Sequence, residues 1–185
     1  MNREEAFELL KKYVKTDSLI KHSLAVESSM IAYANEFNED VEEWSICGLL
    51  HDIDFEMYPD EHPYRGLEIL RENGFSEEFI AAVKGHAVKD APRETLMAKT
   101  LFAVDELSSF AIACALVRPT KLEGMKAKSV KKKFKAKSFA AAVDRDLIRE
   151  SADQLGVDMN EHLNIVIKGL QNREKELNKE GLSLV

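Results

Sequence analysis

Apolar residues recur along this chain at intervals of three and four, and charged residues fill the positions between them. In "REEAFELLKKYV", Phe7, Leu10 and Val14 fall on one helical face opposite a charged one. From Ser18 to about Phe37, Leu24, Ile31 and Ala34 repeat that spacing. Asp40 followed by Glu43 has the form of an N-terminal cap and opens the apolar helix "VEEWSICGLLHD". "YPDEHPYRG", with Pro59 and Pro63, is a turn-rich loop, and "YRGLEILREN" after it is a short amphipathic helix stopped by Gly74. Ser76 caps "SEEFIAAVKGHA". Pro92 suits the first turn of a long helix through "ETLMAKTLFAVDELSSFAIACALV", ending before Pro119. Next come a lysine-rich stretch and a helix "AAAVDRDLIRESADQL". A last helix, "DMNEHLNIVIKGL", is started by Asp158 and Glu161, and the charged tail after Arg173 is expected to fray. No segment alternates with period two between hairpin turns. The pattern predicts an all-α protein, a compact multi-helix bundle with short connections.

Composition narrows the class. A chain of 185 residues with 45% hydrophobic and 32% charged residues is an ordinary globular domain with a sizeable core. No apolar stretch approaches the roughly 18–20 residues of a membrane span. "MNREEAFELL" has acids where a signal peptide has a basic region, so a cytoplasmic protein without a membrane partner is expected. Cys47 and Cys114 lie in apolar helical contexts and read as reduced core residues. The net charge of −7 argues against a nucleic-acid partner, but it is unevenly spread. Residues 1–60 hold 14 acids against 5 Lys/Arg, whereas "KLEGMKAKSVKKKFKAK" at 121–137 holds eight lysines and one glutamate. Such asymmetry attracts anions to one side of a molecule. Phe134 and Phe139 within that stretch fit the buried stripe of an amphipathic helix better than a base-stacking platform.

The candidate chemistry lies earlier. Four of the five histidines, His22, His51, His62 and His86, fall in the first 86 residues. His51-Asp52 closes an apolar run, and Asp105 sits inside the long apolar helix. Any one histidine alone is more often a surface or satisfied core residue. An aspartate in an apolar helix needs a partner. Imidazoles and carboxylates from different helices can converge on a divalent transition metal in a bundle core. His162, in the last helix, reads as structural or surface, and Trp44, Met57 and Tyr58 as core or pocket wall.

"KHSLAVESSMIAYA", "GLLHDID" and "VDELSSFAIACALVRP", in that order, resemble the HD-domain superfamily of metal-dependent phosphohydrolases, named for its His…His-Asp…Asp motif. The resemblance covers roughly residues 18–120. It implies packed helices with a metal site made by His22, His51, Asp52 and Asp105. "EHPYRGLEILRENGF" and "IAAVKGHA" are similar to subfamilies with two further histidines, which makes His62 and His86 candidate ligands of a second ion, with Asp52 the bridge if two are present, or alternatively contacts for substrate phosphate. Ala87 stands where some subfamilies have another histidine. "HDIDF" departs from the His-Asp-Ile-Gly-Lys of the cyclic-dinucleotide phosphodiesterases. On this reading residues 1–120 form the HD core, and 121–185 are basic and amphipathic helices packed on the same domain.

The implied activity is hydrolysis of a small phosphoester, most simply a nucleotide, with one or two ions of Mn, Fe, Co, Ni or Zn. Asp54, Glu56 and Asp60 follow the doublet and are candidate general acid/base groups, Glu56 first. Arg65 and Lys84 are candidates to pair with phosphate oxygens, with Arg118 as a further anion-binding group. Two alternatives stand beside this reading: a di-iron oxygenase of the same fold, and a non-catalytic nucleotide- or RNA-binding module.

Overall fold

The computed structural model describes residues 1–185, which form nine helices and no strand. Two of them, α2 (Asp17–Phe37) and α6 (Leu96–Leu116), have 21 residues each and carry the fold. α3 (Val41–Leu50) follows α2 after a short turn in which Asn38 adopts the left-handed conformation, φ 58°. It packs so closely on α2 that a Cβ at Gly48 would lie 2.8 Å from Glu27 Cα. α1 (Arg3–Tyr13) packs on α3, and α5 (Glu77–Ala87) and α8 (Arg145–Leu155) pack on α6. α4 (Tyr64–Glu72) lies beside α5, α7 (Ala127–Phe134) touches α6 and α9, and α9 (Met159–Leu177) packs along α2. One apolar cluster of 42 buried residues, from Ala6 to Leu184, runs through all of it. No helix is long and apolar enough to cross a membrane.

The caps explain most helix starts. The side chains of Asp40, Ser76 and Asp158 accept from Glu43, Phe79 and Glu161 backbone N–H groups. Asn2 and Glu5 form a reciprocal capping box on α1. Pro92 does not open the long helix. Thr95 caps it, accepting from Ala98 N–H at 3.1 Å, and Arg93 in the preceding loop donates to Gly85 O and lies over Phe102. The penultimate helix starts later than its alanines suggest, because Asp144 accepts from Asp146 and Leu147 N–H and fixes the start at Arg145. The tail does not fray: α9 runs to Leu177, and Leu177 and Leu184 are buried. Phe134 and Phe139 pack edge-on against Phe110, at 4.6 and 5.8 Å between ring centres. Trp44 is buried, Tyr58 is half-buried, and Met57 is exposed rather than packed.

A buried carboxylate ties four helices together. Glu27, fully buried in α2, accepts from Arg3 Nε at 2.7 Å and Nη2 at 2.9 Å, and from Ser45 Oγ at 2.8 Å. Arg173 from α9 approaches to 3.7 Å. Both cysteines are free and buried, and burial pushes the Cys114 thiol up to about 11.

Candidate metal centre

Five segments deliver six side chains to one point. α2 supplies His22, the end of α3 supplies His51 and Asp52, and α6 supplies Asp105. His62 comes from the loop before α4, and His86 from the last turn of α5. Adjacent residues within a helix point about 100° apart. His51 is the C-cap of α3, and the backbone turns directly after it, which lets the doublet act together.

Asp52 organises the cluster. Its Oδ2 lies 3.4 Å from Nε2 of both His22 and His51. Its Oδ1 lies 3.1 Å from Nε2 of His86 and 3.5 Å from Nε2 of His62. Asp105 Oδ1 stands 3.2 Å from His22 Nε2 and 3.5 Å from His51 Nε2.

The other nitrogen of each ring is already engaged. His51 Nδ1 donates to Gly48 O at 2.7 Å, and His86 Nδ1 donates to Val83 O at 2.5 Å. His62 Nδ1 donates to Asp54 Oδ1 at 2.8 Å, and His22 Nδ1 is 3.1 Å from Ser109 Oγ. A carbonyl oxygen can only accept, so His51 and His86 carry their proton on Nδ1 and turn a lone pair on Nε2 into the cluster.

The donor set fits divalent metal. Nε2 of His22 and Nε2 of His51 face each other at 3.1 Å, an approach that calls for a shared positive charge, a proton or a metal ion, between the two rings. The ligand atoms of His22, His51 and Asp105 all lie within 4.8 Å of one another, as do those of His51, Asp52 and His86. Ligands about 2.1 Å from one ion are about 3.0–3.4 Å apart in octahedral or tetrahedral sites, close to the spacings here. Mixed imidazole and carboxylate donors suit Mn, Fe, Co, Ni or Zn.

The protonation of the cluster expresses the same demand for positive charge. Burial pulls the His22 imidazolium down, yet its bonds to Asp105 and Asp52 outweigh that and hold it at about 9. His51 is likewise raised by the two carboxylates against a large desolvation penalty. Asp52 and Asp105, although partly desolvated, are held well below the usual carboxylate range by the surrounding histidines.

The sequence profile of the HD domain matches residues 19–109, a span that holds every one of these six residues. The chain belongs to the HD-domain superfamily. An 86-residue stretch is also 30% identical to part of a tRNA (cytidine(56)-2'-O)-methyltransferase from Thermoplasma volcanium. That stretch is 46% of this chain and 25% of the relative, so the chain spans about a quarter of the length of the protein it resembles. No solved structure matches.

Above the HD cluster lies a cleft of about 510 Å³, walled by Ser18, Leu19, Phe55, Glu106, Ser109 and Leu147. None of the three acids expected as acid/base groups lines it. Asp54 is fully buried, accepting from His62 Nδ1 and, through Oδ2, from Gly66 N–H at 2.6 Å. It orients a ring and has no access to substrate. A Cβ at Gly66 would fall 2.9 Å from Asp54 Cγ, so the close approach requires glycine. Glu56 accepts from Thr16 N–H at 3.0 Å, Lys15 N–H at 2.7 Å and Thr16 Oγ at 2.9 Å. Those bonds pull its carboxyl below the usual range and supply the cap that the Thr16 side chain leaves unmade at the start of α2. Asp60 is exposed in the loop and does not line the cleft.

The three expected anion-binding cations also lie elsewhere. Arg65 pairs with Glu68 at 2.5 Å and lies over Tyr58. Arg118 donates to Lys121 O and Glu123 O and closes the turn after α6. Lys84 is two residues from His86, about 200° around α5, and does not line the cleft. Ser109 and Glu106 are among the cleft residues that sequence reasoning missed. Ser109 sits one helical turn after Asp105, a spacing that could have drawn attention to it. Glu106 is half-buried, and burial together with the Asp105 charge raises its carboxyl. His162 is structural: it donates from Nε2 to Ala103 O at 3.0 Å and accepts at Nδ1 from the Tyr33 hydroxyl at 2.5 Å.

Proposed function

We propose that this protein is a divalent-metal-dependent phosphohydrolase acting on a small phosphoester. The observation that carries this reading is Asp52, which turns one oxygen to His22 and His51 and the other to His62 and His86. A carboxylate shared between two imidazole pairs is an arrangement able to hold two neighbouring ions. His22, His51, Asp52 and Asp105 would hold one ion, and Asp52, His62 and His86 the second. When bound, such ions polarise a phosphoryl oxygen and make hydroxide available near neutral pH.

The rest of the chemistry belongs to the chain. Gly48, Val83, Asp54 and Ser109 fix the four rings through Nδ1, so ligation costs little reorganisation. Phe55, edge-on to His62 at 5.3 Å, and Leu147 form the apolar walls that limit water beside the reacting phosphate. Ser18 and Ser109 offer hydroxyls to a substrate in the cleft.

The test is hydrolysis of a panel of nucleoside monophosphates and simple phosphomonoesters by the metal-loaded protein. Turnover of at least one, lost about 100-fold or more in His51→Ala with the fold retained, supports the reading. Oxygen uptake with an iron-loaded pair, and no phosphate release, would favour the di-iron oxygenase of the same fold. The similarity to a quarter of a tRNA methyltransferase places RNA fragments on the substrate panel, and a domain that binds RNA without turning it over would be a non-catalytic module.

A further inference from the structure

The lysine-rich segment takes no part in the cleft above the cluster, yet it builds a site of its own. α7, α8 and α9 enclose a groove of about 680 Å³, within the size range of small-molecule sites. Its rim carries Lys128, Lys131, Lys132, Lys135 and Arg149, and its floor is Phe134, Met159 and Leu163. Arg149 is engaged with Asp146 at 2.6 Å, and Lys131 donates to Asn160 Oδ1. Lys128, Lys132 and Lys135 line the groove and form no ion pair, so three cations border it without a carboxylate partner. In a chain of net charge −7 such a concentration of unpaired lysines costs folding energy through mutual repulsion. An anion in the groove would relieve it.

The floor narrows the choice of anion. Apolar and aromatic side chains beneath a ring of cations match a ligand with several phosphates and one flat, apolar face. We propose that this groove binds a nucleotide-like polyanion, a nucleoside polyphosphate in chemical class, at a site separate from the metal centre. α8 stands between the two: Leu147 faces the cleft, and Arg149, two residues on and about 200° around the helix, faces the groove. The inference does not depend on the hydrolytic reading.

The test is calorimetric titration of the full-length protein with ATP and with inorganic tripolyphosphate at low and at moderate salt, alongside metal content. The proposal expects ATP to bind about five- to hundredfold tighter than tripolyphosphate, the margin of one stacked ring. Both affinities should fall with salt. In K132E/K135E, whose residues are exposed and outside the core, ATP affinity should drop at least tenfold with metal content unchanged. M159Q should narrow the gap between ATP and tripolyphosphate. Absence of ATP binding, ATP binding that survives K132E/K135E, or equal affinity for the two probes would each overturn it. Oligonucleotides that bind progressively tighter with length while ATP stays weak would also overturn it, in favour of a nucleic-acid surface.

Discussion

Asp54 Oδ1 accepts a hydrogen bond from His62 Nδ1 at 2.8 Å, eight residues along the chain, and in doing so aims Nε2 of His62 at Asp52. The contact makes the loop between α3 and α4 part of the candidate metal centre rather than a link over it. Asp54→Ala would free the ring and orphan the Gly66 N–H. We expect the second metal equivalent to bind about 10–100-fold more weakly while the first is retained. Stepwise metal titration followed by elemental analysis checks this.

Gly66→Ala tests the same contact from the other side. The new methyl group would meet Asp54 at 2.9 Å against a helix start that has little room to shift. The expected outcome is a destabilisation of about 1–3 kcal/mol in urea unfolding, accompanied by the metal defect of Asp54→Ala. A loss of stability with normal metal binding would show that Asp54 does not position His62.

Glu27 holds Arg3, Ser45 and Arg173 with no exposed surface of its own. Removing one partner of a buried ion pair leaves the others desolvated and uncompensated. Glu27→Ala should cost about 3–5 kcal/mol, read from chemical unfolding, and should leave metal stoichiometry unchanged in the folded fraction.

His162 makes stability depend on pH. Burial, opposed only weakly by its bond to Ala103 O, lowers its imidazole from 6.5 to about 4. The unfolded chain therefore binds more protons than the folded one between those values. This contribution is fully present above pH 6.5 and is lost as pH falls toward 4, to a total of about 3 kcal/mol. Urea midpoints measured from pH 7.5 to 4 should show this slope in the wild type and less of it in His162→Phe.

The fold and the site were legible to different depths. Apolar spacing and the caps at Asp40, Ser76 and Asp158 locate helices because both are local effects. The same local reasoning misplaced Pro92, since Thr95 three residues on is the better cap. The six residues of the candidate metal centre stand out because imidazoles and acids are rare in apolar runs. The roles of Asp54, Glu56 and Asp60 could not be separated by sequence, because all three are acids in one turn-rich loop. Their fates are decided by partners 8 to 41 residues away: His62 and Gly66 for Asp54, Lys15 and Thr16 for Glu56. The same holds for Arg65 and Arg118, whose cations are taken by nearby acceptors that composition does not reveal.

The central claim is that Asp52 joins two metal positions. The measurement that tests it most directly is metal content per chain, by elemental analysis after reconstitution with manganese, iron, cobalt, nickel or zinc. Wild type, Asp52→Ala and His86→Ala would be compared. The account predicts two equivalents in the wild type, one in His86→Ala, and less than one in Asp52→Ala. A wild-type protein that takes up no metal, or an Asp52→Ala variant that stays fully loaded, would contradict it.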